Sequence, residues 1–389
     1  MDVDARQQVR SSTLGARLRA QIAAEGPISV HDYMEACLYD PDHGYYRRAR
    51  PLGAEGDFVT APEISQVFGE MIGLWIADTW MRMGSPAPVQ LVELGPGRGT
   101  LMADMLRTLK VAPQLLGACR VRLVEMSAPL MDMQHMALDH APVPVEWLPD
   151  IEALPSGATI LIANEYFDCL PVRQFEYRAA EGWHERMVGV DGDGNFITLL
   201  AGSGAETPVL PPNTDDGAVC EHRPALERYM AKFAQFAATD PFAAVLIDYG
   251  HDETPGSAAF GDTVQAVRGH RFATIFDAPG ETDLSAHVDF GHIRGLAKAH
   301  GLIAWGPLPM GQFLLKLGAG ERLGRLTAAA GTTEQAQRLR RGFQRLVDPA
   351  QMGVLFKVMA LTSAGIAALL PFDATGTNAP APSQRGYHG

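Results

Sequence analysis

The sequence predicts an α/β fold: a Rossmann-like, mostly parallel sheet with helices on both faces, an N-terminal helical extension and an inserted β-hairpin/helix region. Three observations carry this prediction. The run Val89-Gln90-Leu91-Val92-Glu93-Leu94-Gly95-Pro96-Gly97-Arg98-Gly99-Thr100 reads as a buried strand, a glycine loop and a helix beginning near Arg98. Four more apolar runs follow, at residues 120–125, 143–148, 159–163 and 243–247, and the nearly all-apolar 159–163 is what a strand covered on both faces requires. Most of these runs end in or near a carboxylate, at Glu93, Glu125, Asp150, Glu165 with Asp168, and Asp248. Open α/β sheets build their sites at the carboxyl ends of strands.

The glycine corner narrows the ligand. Glycine takes positive φ and lets a ligand approach where a Cβ would stand. The helix that follows aims its unpaired N–H groups back at the loop. The spacing is G-x-G-x-G, and Thr100 stands where the dinucleotide fingerprint needs its last glycine. No G-K-[ST] follows, so a phosphate-cradling P-loop is excluded. An acid directly before the turn, Glu93, suits a cationic amino group such as that of S-adenosylmethionine. Glu125 occupies the strand end that meets ribose hydroxyls in such sheets. Asp150 either faces an adenine amino group or caps the next turn. In Asn164-Glu165-Tyr166-Phe167-Asp168, two carboxylates at the end of a central strand can hold a guanidinium by paired hydrogen bonds. A plain polar turn is the alternative there.

Composition sets the frame. A chain of 389 residues is long for one core, so the expectation is a main domain with additions. The divisions read as an extension and flap over 1–85, a main domain over 86–370 with an insertion at about 174–238, and a disordered tail over 371–389. A net charge of −13 argues against a nucleic-acid backbone as partner. The basic run at 338–345 reads as a solvated helix face. No apolar stretch reaches membrane-spanning length, and the first ten residues lack the apolar core of a secretory signal. Cys37, Cys119, Cys169 and Cys220 are far apart and form no C-x-x-C, which reads as reduced, buried thiols in a cytoplasmic protein.

The remaining elements follow from local signals. Residues 14–24 form a helix stopped by Gly26-Pro27. Thr60-Ala61-Pro62-Glu63 has capping-box spacing. The helix it opens repeats apolar residues at Ile64, Val67, Phe68, Met71, Ile72, Trp75 and Ile76, the period of a packed face. The glycine-containing segment 53–60 reads as a flap over a site. Roughly seventy residues separate the fourth and fifth strands, too many for a plain crossover. They hold strands at 175–177, 183–190 and 196–200, the last two joined by Asp191-Gly192-Asp193-Gly194-Asn195. Phe196 stands where a calcium loop needs glycine, so that turn is a hairpin. A helix at 226–237 leads back. His287, Asp289 and His292 invite a metal reading, but Asp289 is better explained as the N-cap of a helix at 290–300, and no metal is expected.

The segments Gly56-Asp57-Phe58-Val59-Thr60-Ala61-Pro62-Glu63-Ile64-Ser65, Phe68-Gly69-Glu70, Glu93 to Thr100, Asn164 to Asp168, Ala286-His287-Val288-Asp289-Phe290, Asp348-Pro349, Met352-Gly353 and Phe356-Lys357-Val358 together resemble the MidA-like methyltransferases. That family includes the mitochondrial complex I assembly-factor methyltransferases and bacterial relatives. The resemblance runs from about residue 14 to 362. It implies a class I S-adenosyl-L-methionine-dependent fold with a seven-stranded sheet. It also implies protein arginine methylation, with a quinone-site core subunit of respiratory complex I as the target in mitochondrial members. On this reading Glu93, Gly95, Gly97, Gly99, Thr100, Glu125 and Asp150 hold the cofactor. Glu165, helped by Asp168 and Asn164, grips the target guanidinium. The expected partner is a protein substrate, with neither nucleic acid nor membrane insertion, and a homodimer stays open. Two alternatives come from other classes: a non-catalytic complex I assembly chaperone on the same fold, and a nucleotide-dependent oxidoreductase.

Overall fold

The computed structural model describes residues 13–47, 60–202, 210, 215–252, 261–366 and 368–372. Its strands are β1 (Ile28–Ser29), β2 (Val89–Leu94), β3 (Cys119–Val124), β4 (Val145–Leu148), β5 (Thr159–Asn164), β6 (Arg173–Arg178), β7 (Gly182–Val190), β8 (Phe196–Leu200), β9 (Val219–His222), β10 (Phe242–His251), β11 (Gln265–Arg268), β12 (Arg271–Ala273), β13 (Asp283–Ser285), β14 (Val288–Asp289), β15 (Ile303–Pro309) and β16 (Phe356–Thr362). The central sheet has the order β15-β16-β10-β5-β2-β3-β4, with β14 beside β10. Its strands are parallel except β16, which runs antiparallel to both β10 and β15. All five strands expected from the sequence lie in it, side by side.

The chain walks outward from β2 through β3 to β4, then crosses to β5 on the other side of β2. The crevice of an open sheet lies at such a reversal, here between the loops that follow β2 and β5. Side chains alternate as the pleat demands. Val89, Leu91, Ile160, Ile162, Val245 and Ile247 join one core, and Val92, Leu94, Leu161, Ala163, Ala244 and Leu246 join the other. The helices Gln66–Arg82 and Thr100–Thr108 cover the first face, and Ala225–Thr239 and Phe290–Ala299 cover the second.

A third core stands beside the sheet. It combines Leu14, Leu18, Val30, Tyr33, Met34 and Leu38 of the first two helices with Val188, Phe196, Ala266 and Leu284. Thr13 and Ser29 cap those helices by accepting hydrogen bonds from Ala16 N and Asp32 N. Strand β1 pairs with β7, so the N-terminal segment completes the five-stranded sheet of the insertion, and β11–β13 form a further three-stranded sheet.

Several expectations need correction. The first 85 residues are not one unit: the helices Leu14–Glu25 and Val30–Tyr39 pack on the insertion, whereas Gln66–Arg82 packs on the main sheet. The insertion ends at β9, because Leu226, Met230 and Phe233 of the following helix enter the main core. The capping box does not form. Thr60 makes no side-chain cap, the helix Ala61–Ile64 stops at extended Ser65, and Ser65 caps Gln66–Arg82 by accepting from Val67 N at 3.3 Å. The helix after the glycine loop starts at Thr100 rather than Arg98, since Gly99 is left-handed (φ 81°). The three-stranded sheet β11–β13 is an addition to the elements expected from the sequence. Asp289 does cap Phe290–Ala299, accepting from His292 N at 2.9 Å, and the four cysteines are free and buried. Residues 53–59 of the expected flap, the first ten residues and the tail from 373 lie outside the described residues.

Candidate functional site

A cavity of about 480 Å³ opens at the carboxyl ends of β2, β3 and β5, a volume in the range of small-molecule sites. Nine of the ten residues expected at the site line it: Glu93, Gly95, Gly97, Thr100, Glu125, Asp150, Asn164, Glu165 and Asp168. Gly99 does not. A Cβ there would lie 3.2 Å from Gln134 Cα and 3.3 Å from Ala137 Cβ, so Gly99 serves the close packing of two helices.

The half of the cavity over β2 to β4 is built for a cation with hydroxyl groups. Gly95, Gly97 and Gly99 have φ of 59°, 54° and 81°, a conformation that side chains resist. A Cβ on Gly95 would stand 2.6 Å from the Tyr166 ring, so the two crevice loops touch there. Glu93 is 2% exposed, and its Oε2 has no hydrogen-bond partner among the described residues. Burial pushes its pKa up to about 8. Such a group calls for a positively charged partner. Burial also raises Glu125, against the pull of three donors: Ser127 N at 2.8 Å, Gln134 Nε2 at 3.0 Å and Met126 N at 2.9 Å. These hold its carboxylate in a fixed pose at the cavity wall. Gln134 also donates to Gly97 O at 2.8 Å and accepts from Trp147 Nε1 at 2.9 Å. It ties the glycine loop to β3 and β4. A glutamine inside a helix gives no sign of this in the sequence.

Two expected contacts are modified. The Thr100 hydroxyl donates to Glu63 Oε1 at 2.5 Å, and Arg98 reaches Glu63 Oε2 at 3.4 Å. Glu63 thus clamps the helix Ala61–Ile64 to the loop instead of closing a capping box. Asp150 caps the short turn Ile151–Ala153 by accepting from Glu152 N at 3.0 Å, and it pairs with Arg228 at 3.3 Å while still lining the cavity.

The turn after β5 is shaped from below. Asp248, 1% exposed, accepts from Tyr166 N, Phe167 N and Asp168 N at 3.0–3.2 Å. Three donors on one carboxylate fix the loop, and Glu165 takes a left-handed φ of 50° within it. Glu165 Oε1 accepts from Ala61 N at 3.0 Å and from Asn164 Nδ2 at 3.2 Å. Burial raises its pKa to about 7, despite the Ala61 N–H. Burial likewise raises Asp168, with buried Arg223 pulling the other way. The sequence offered Asp248 only as one more acid after a strand. Its role follows from the parallel register of β10 on β5. Tyr166 and Tyr229 share a hydroxyl contact of 2.6 Å at the cavity wall, and no sequence signal linked them.

Among the charged lining residues acids outnumber bases: Glu35, Glu63 and Asp283 also line the cavity, against Arg98 and Arg228. The unpartnered Glu93 oxygen and the glycine cradle fit the ammonium and sulfonium of S-adenosyl-L-methionine. The sheet order and this site define an S-adenosyl-L-methionine-dependent methyltransferase. A sequence profile of such methyltransferases matches residues 71–308. The mitochondrial protein arginine methyltransferase NDUFAF7 of Rattus norvegicus is 34% identical over 371 residues, spanning 88% of this chain and 83% of the relative. The homolog in Drosophila melanogaster is 36% identical over 393 residues, spanning 92% and 86%. A Burkholderia thailandensis superfamily member crystallised with S-adenosyl-homocysteine superposes with a TM-score of 0.80 at 29% identity, over 97% of each chain. The chain belongs to the MidA-like family of methyltransferases.

Glu93 gives a test that separates stability from function. Its pKa is about 8 in the fold against an ordinary value of 4.5. The folded state therefore binds the extra proton between those values, and stability falls as pH rises through that window. With each unit near 1.4 kcal/mol, Glu93→Gln should stabilise the cofactor-free protein by about 2 kcal/mol or more at pH 8.5. Little gain should remain at pH 5. The same change should weaken S-adenosyl-homocysteine binding at least about tenfold, because the ammonium loses its anion. Melting curves across pH, with calorimetry, check both halves; parallel pH profiles for the two proteins would refute the first.

Proposed function

We propose that this methyltransferase modifies arginine side chains in a protein, and that its target is the quinone-site core subunit of respiratory complex I. The observation that carries the reading is the pair Glu165 and Asp168 at the end of β5, in a cavity whose acidic side chains outnumber its basic ones. Planar, permanently charged guanidinium is the side chain such a pair suits best. The relatives' name as protein arginine methyltransferases supports the same reading. Bound S-adenosyl-L-methionine supplies an electrophilic methyl group on a sulfonium. Glu93 and the backbone of Gly95 and Gly97 would hold its amino-acid end, Glu125 its ribose, and Asp150 would face its adenine. Glu165, with Asn164 fixing its Oε1, holds the guanidinium and aims one terminal nitrogen across the crevice. Positioning of this kind supplies most of the acceleration in a direct transfer. A carboxylate with a pKa of about 7 is also matched to taking the proton that the nitrogen gives up.

A protein substrate is further supported by the third core. His31, Glu35, Tyr39 and Tyr46 bring the N-terminal segment to the cavity wall, and Asp283 and Ser285 bring β13. The experiment is mass spectrometry of complex I from wild-type and deletion strains. A methylated arginine on the quinone-site subunit should be present in the first and absent in the second. Its persistence in the deletion strain would overturn the substrate assignment and leave the methyltransferase class intact.

A further inference from the structure

The basic run 338–345, expected as a solvated helix face, lies on the helix Thr333–Val347. Thr332 caps that helix by accepting from Gln335 N at 3.1 Å. Ala336, Phe343 and Leu346 are buried, and Phe343 and Leu346 join the core on the first face of the sheet. The opposite side carries Arg338, Arg341 and Arg345 at i, i+3 and i+7, with Arg340 further round. All four side chains are exposed.

What singles these arginines out is the missing counter-charge. The run 338–345 holds four arginines and no acid, in a chain of net charge −13. None of the four makes an ion pair with another of the described residues. Exposed arginines elsewhere are matched: Arg107 against Asp104, Arg178 against Glu176 and Arg268 against Glu281. Like charges three and four residues apart weaken a helix, so this face costs stability rather than adding it. Service to the helix dipole accounts for Arg345 in the last turn, but not for Arg338 or Arg341.

The packing of this helix ties it to the site. Gly342 lies so close to Ile64 that a Cβ there would stand 2.6 Å from Ile64 O. Ile64 ends the helix Ala61–Ile64, whose Pro62 and Glu63 line the cavity and whose Ala61 N donates to Glu165. The arginine face is therefore one helix removed from Glu165. Packed helices lie about 8–10 Å apart, so a single protein can occupy both places. Arginine forks pair with carboxylates through two parallel hydrogen bonds. A bilayer would need apolar side chains to insert beside the charges, and no large apolar residue between Thr333 and Val347 is exposed.

We infer that the exposed face of the helix Thr333–Val347 is a docking surface for an acidic segment of the protein substrate, bound by Arg338, Arg341 and Arg345 while the cavity takes the residue to be methylated. This rests on the protein-substrate reading above and adds to the cavity a second contact of opposite charge.

The probe is octaglutamate, compared with octaglutamine, titrated into the full chain saturated with S-adenosyl-homocysteine. Octaglutamate should bind at least about tenfold more tightly at low salt, and lose that advantage toward about 0.5 M salt, where exposed charges are screened. Arg338→Gln, Arg341→Gln and Arg345→Gln are combined in one variant, because glutamine keeps the helix propensity of arginine. That variant should melt as the unmodified protein does and bind S-adenosyl-homocysteine within about twofold, yet bind octaglutamate about tenfold more weakly, as the loss of three exposed pairs predicts. Equal binding of the two probes to the unmodified protein overturns the inference. So does a folded triple variant that binds octaglutamate as before. Vesicles of phosphatidylglycerol, or oligothymidine, that bind through these arginines more tightly than octaglutamate would assign the face to a phosphate surface and overturn it too. A second arm joins a methylatable arginine to octaglutamate through a flexible glycine-serine linker. For that peptide the triple variant should raise KM about tenfold with kcat unchanged, and the same peptide with octaglutamine should not distinguish the two proteins. A KM indifferent to the acidic run refutes the docking surface and leaves the arginine reading intact. Octaglutamate binding that needs the three arginines, with neither peptide methylated, leaves the surface standing and refutes the arginine target alone.

Discussion

Gly97→Val is expected to weaken cofactor binding about a hundredfold while leaving the protein folded. Gly97 lies in the loop between β2 and the helix Thr100–Thr108 with φ of 54°, and its carbonyl accepts from Gln134 Nε2 at 2.8 Å. A β-branched residue strains that conformation by about 1–3 kcal/mol, and its side chain occupies space at the cavity wall. The combined effect should weaken S-adenosyl-homocysteine binding on the order of a hundredfold, equivalent to about 2.7 kcal/mol. The cores on either side of the sheet do not contain Gly97, so circular dichroism should be unchanged and melting should shift only modestly. Calorimetry with S-adenosyl-homocysteine checks the loss; affinity within a few-fold of wild type would show that the loop is not the cradle. The variant also discriminates between enzyme and scaffold. If function in the cell needs catalysis, Gly97→Val cannot complement a deletion strain. A folded variant with this weakened cofactor binding that nonetheless restores the deletion strain fully would mean that binding to a partner alone suffices.

Much of the site was legible because its residues sit at strand ends, and strand ends are read from local pattern. Glu93, Glu125 and Glu165 each follow an apolar run, and the parallel sheet then brings their loops to one edge. Residues whose role depends on long-range register were not legible. Asp248 lies about eighty residues after the turn it shapes, and only the alignment of β10 on β5 brings its carboxylate under Tyr166, Phe167 and Asp168. Glu63 shows the opposite failure. Its local spacing with Thr60 favoured a capping box, but a tertiary bond to Thr100 captured the side chain. The docking of the N-terminal extension escapes local pattern for the same reason. Leu14, Leu18 and Met34 carry no mark of which surface they cover, and pairing of Ile28–Ser29 with β7 decides it. Local propensity sets the helices, and competition among tertiary partners sets where they dock.

Glu165→Gln should cut turnover about a hundredfold or more, the range for loss of a positioned proton acceptor, while S-adenosyl-homocysteine affinity changes less than twofold. The substitution is gentle to the structure. Glutamine keeps an oxygen for Ala61 N and Asn164 Nδ2, which meet Glu165 Oε1 at 3.0 and 3.2 Å. The helix Ala61–Ile64 therefore stays docked, and what disappears is the negative charge that the proposed mechanism sets against the guanidinium. The pH profile makes the test specific. Glu165 has a pKa of about 7, raised chiefly by burial. At saturating cofactor the wild-type rate should fall tenfold per unit as pH drops below that value, since the protonated acid neither holds the cation nor accepts its proton. Glutamine does not titrate, so the residual rate of the variant should be flat across that limb. Saturation removes the separate effect of Glu93, whose pKa of about 8 acts on cofactor binding. Single-turnover methylation of an arginine substrate between pH 5.5 and 9 makes the comparison. A variant that keeps the wild-type rate would remove Glu165 from the chemistry. A slow variant that keeps the acid limb would move the titrating role to Asp168, the other carboxylate on the same turn.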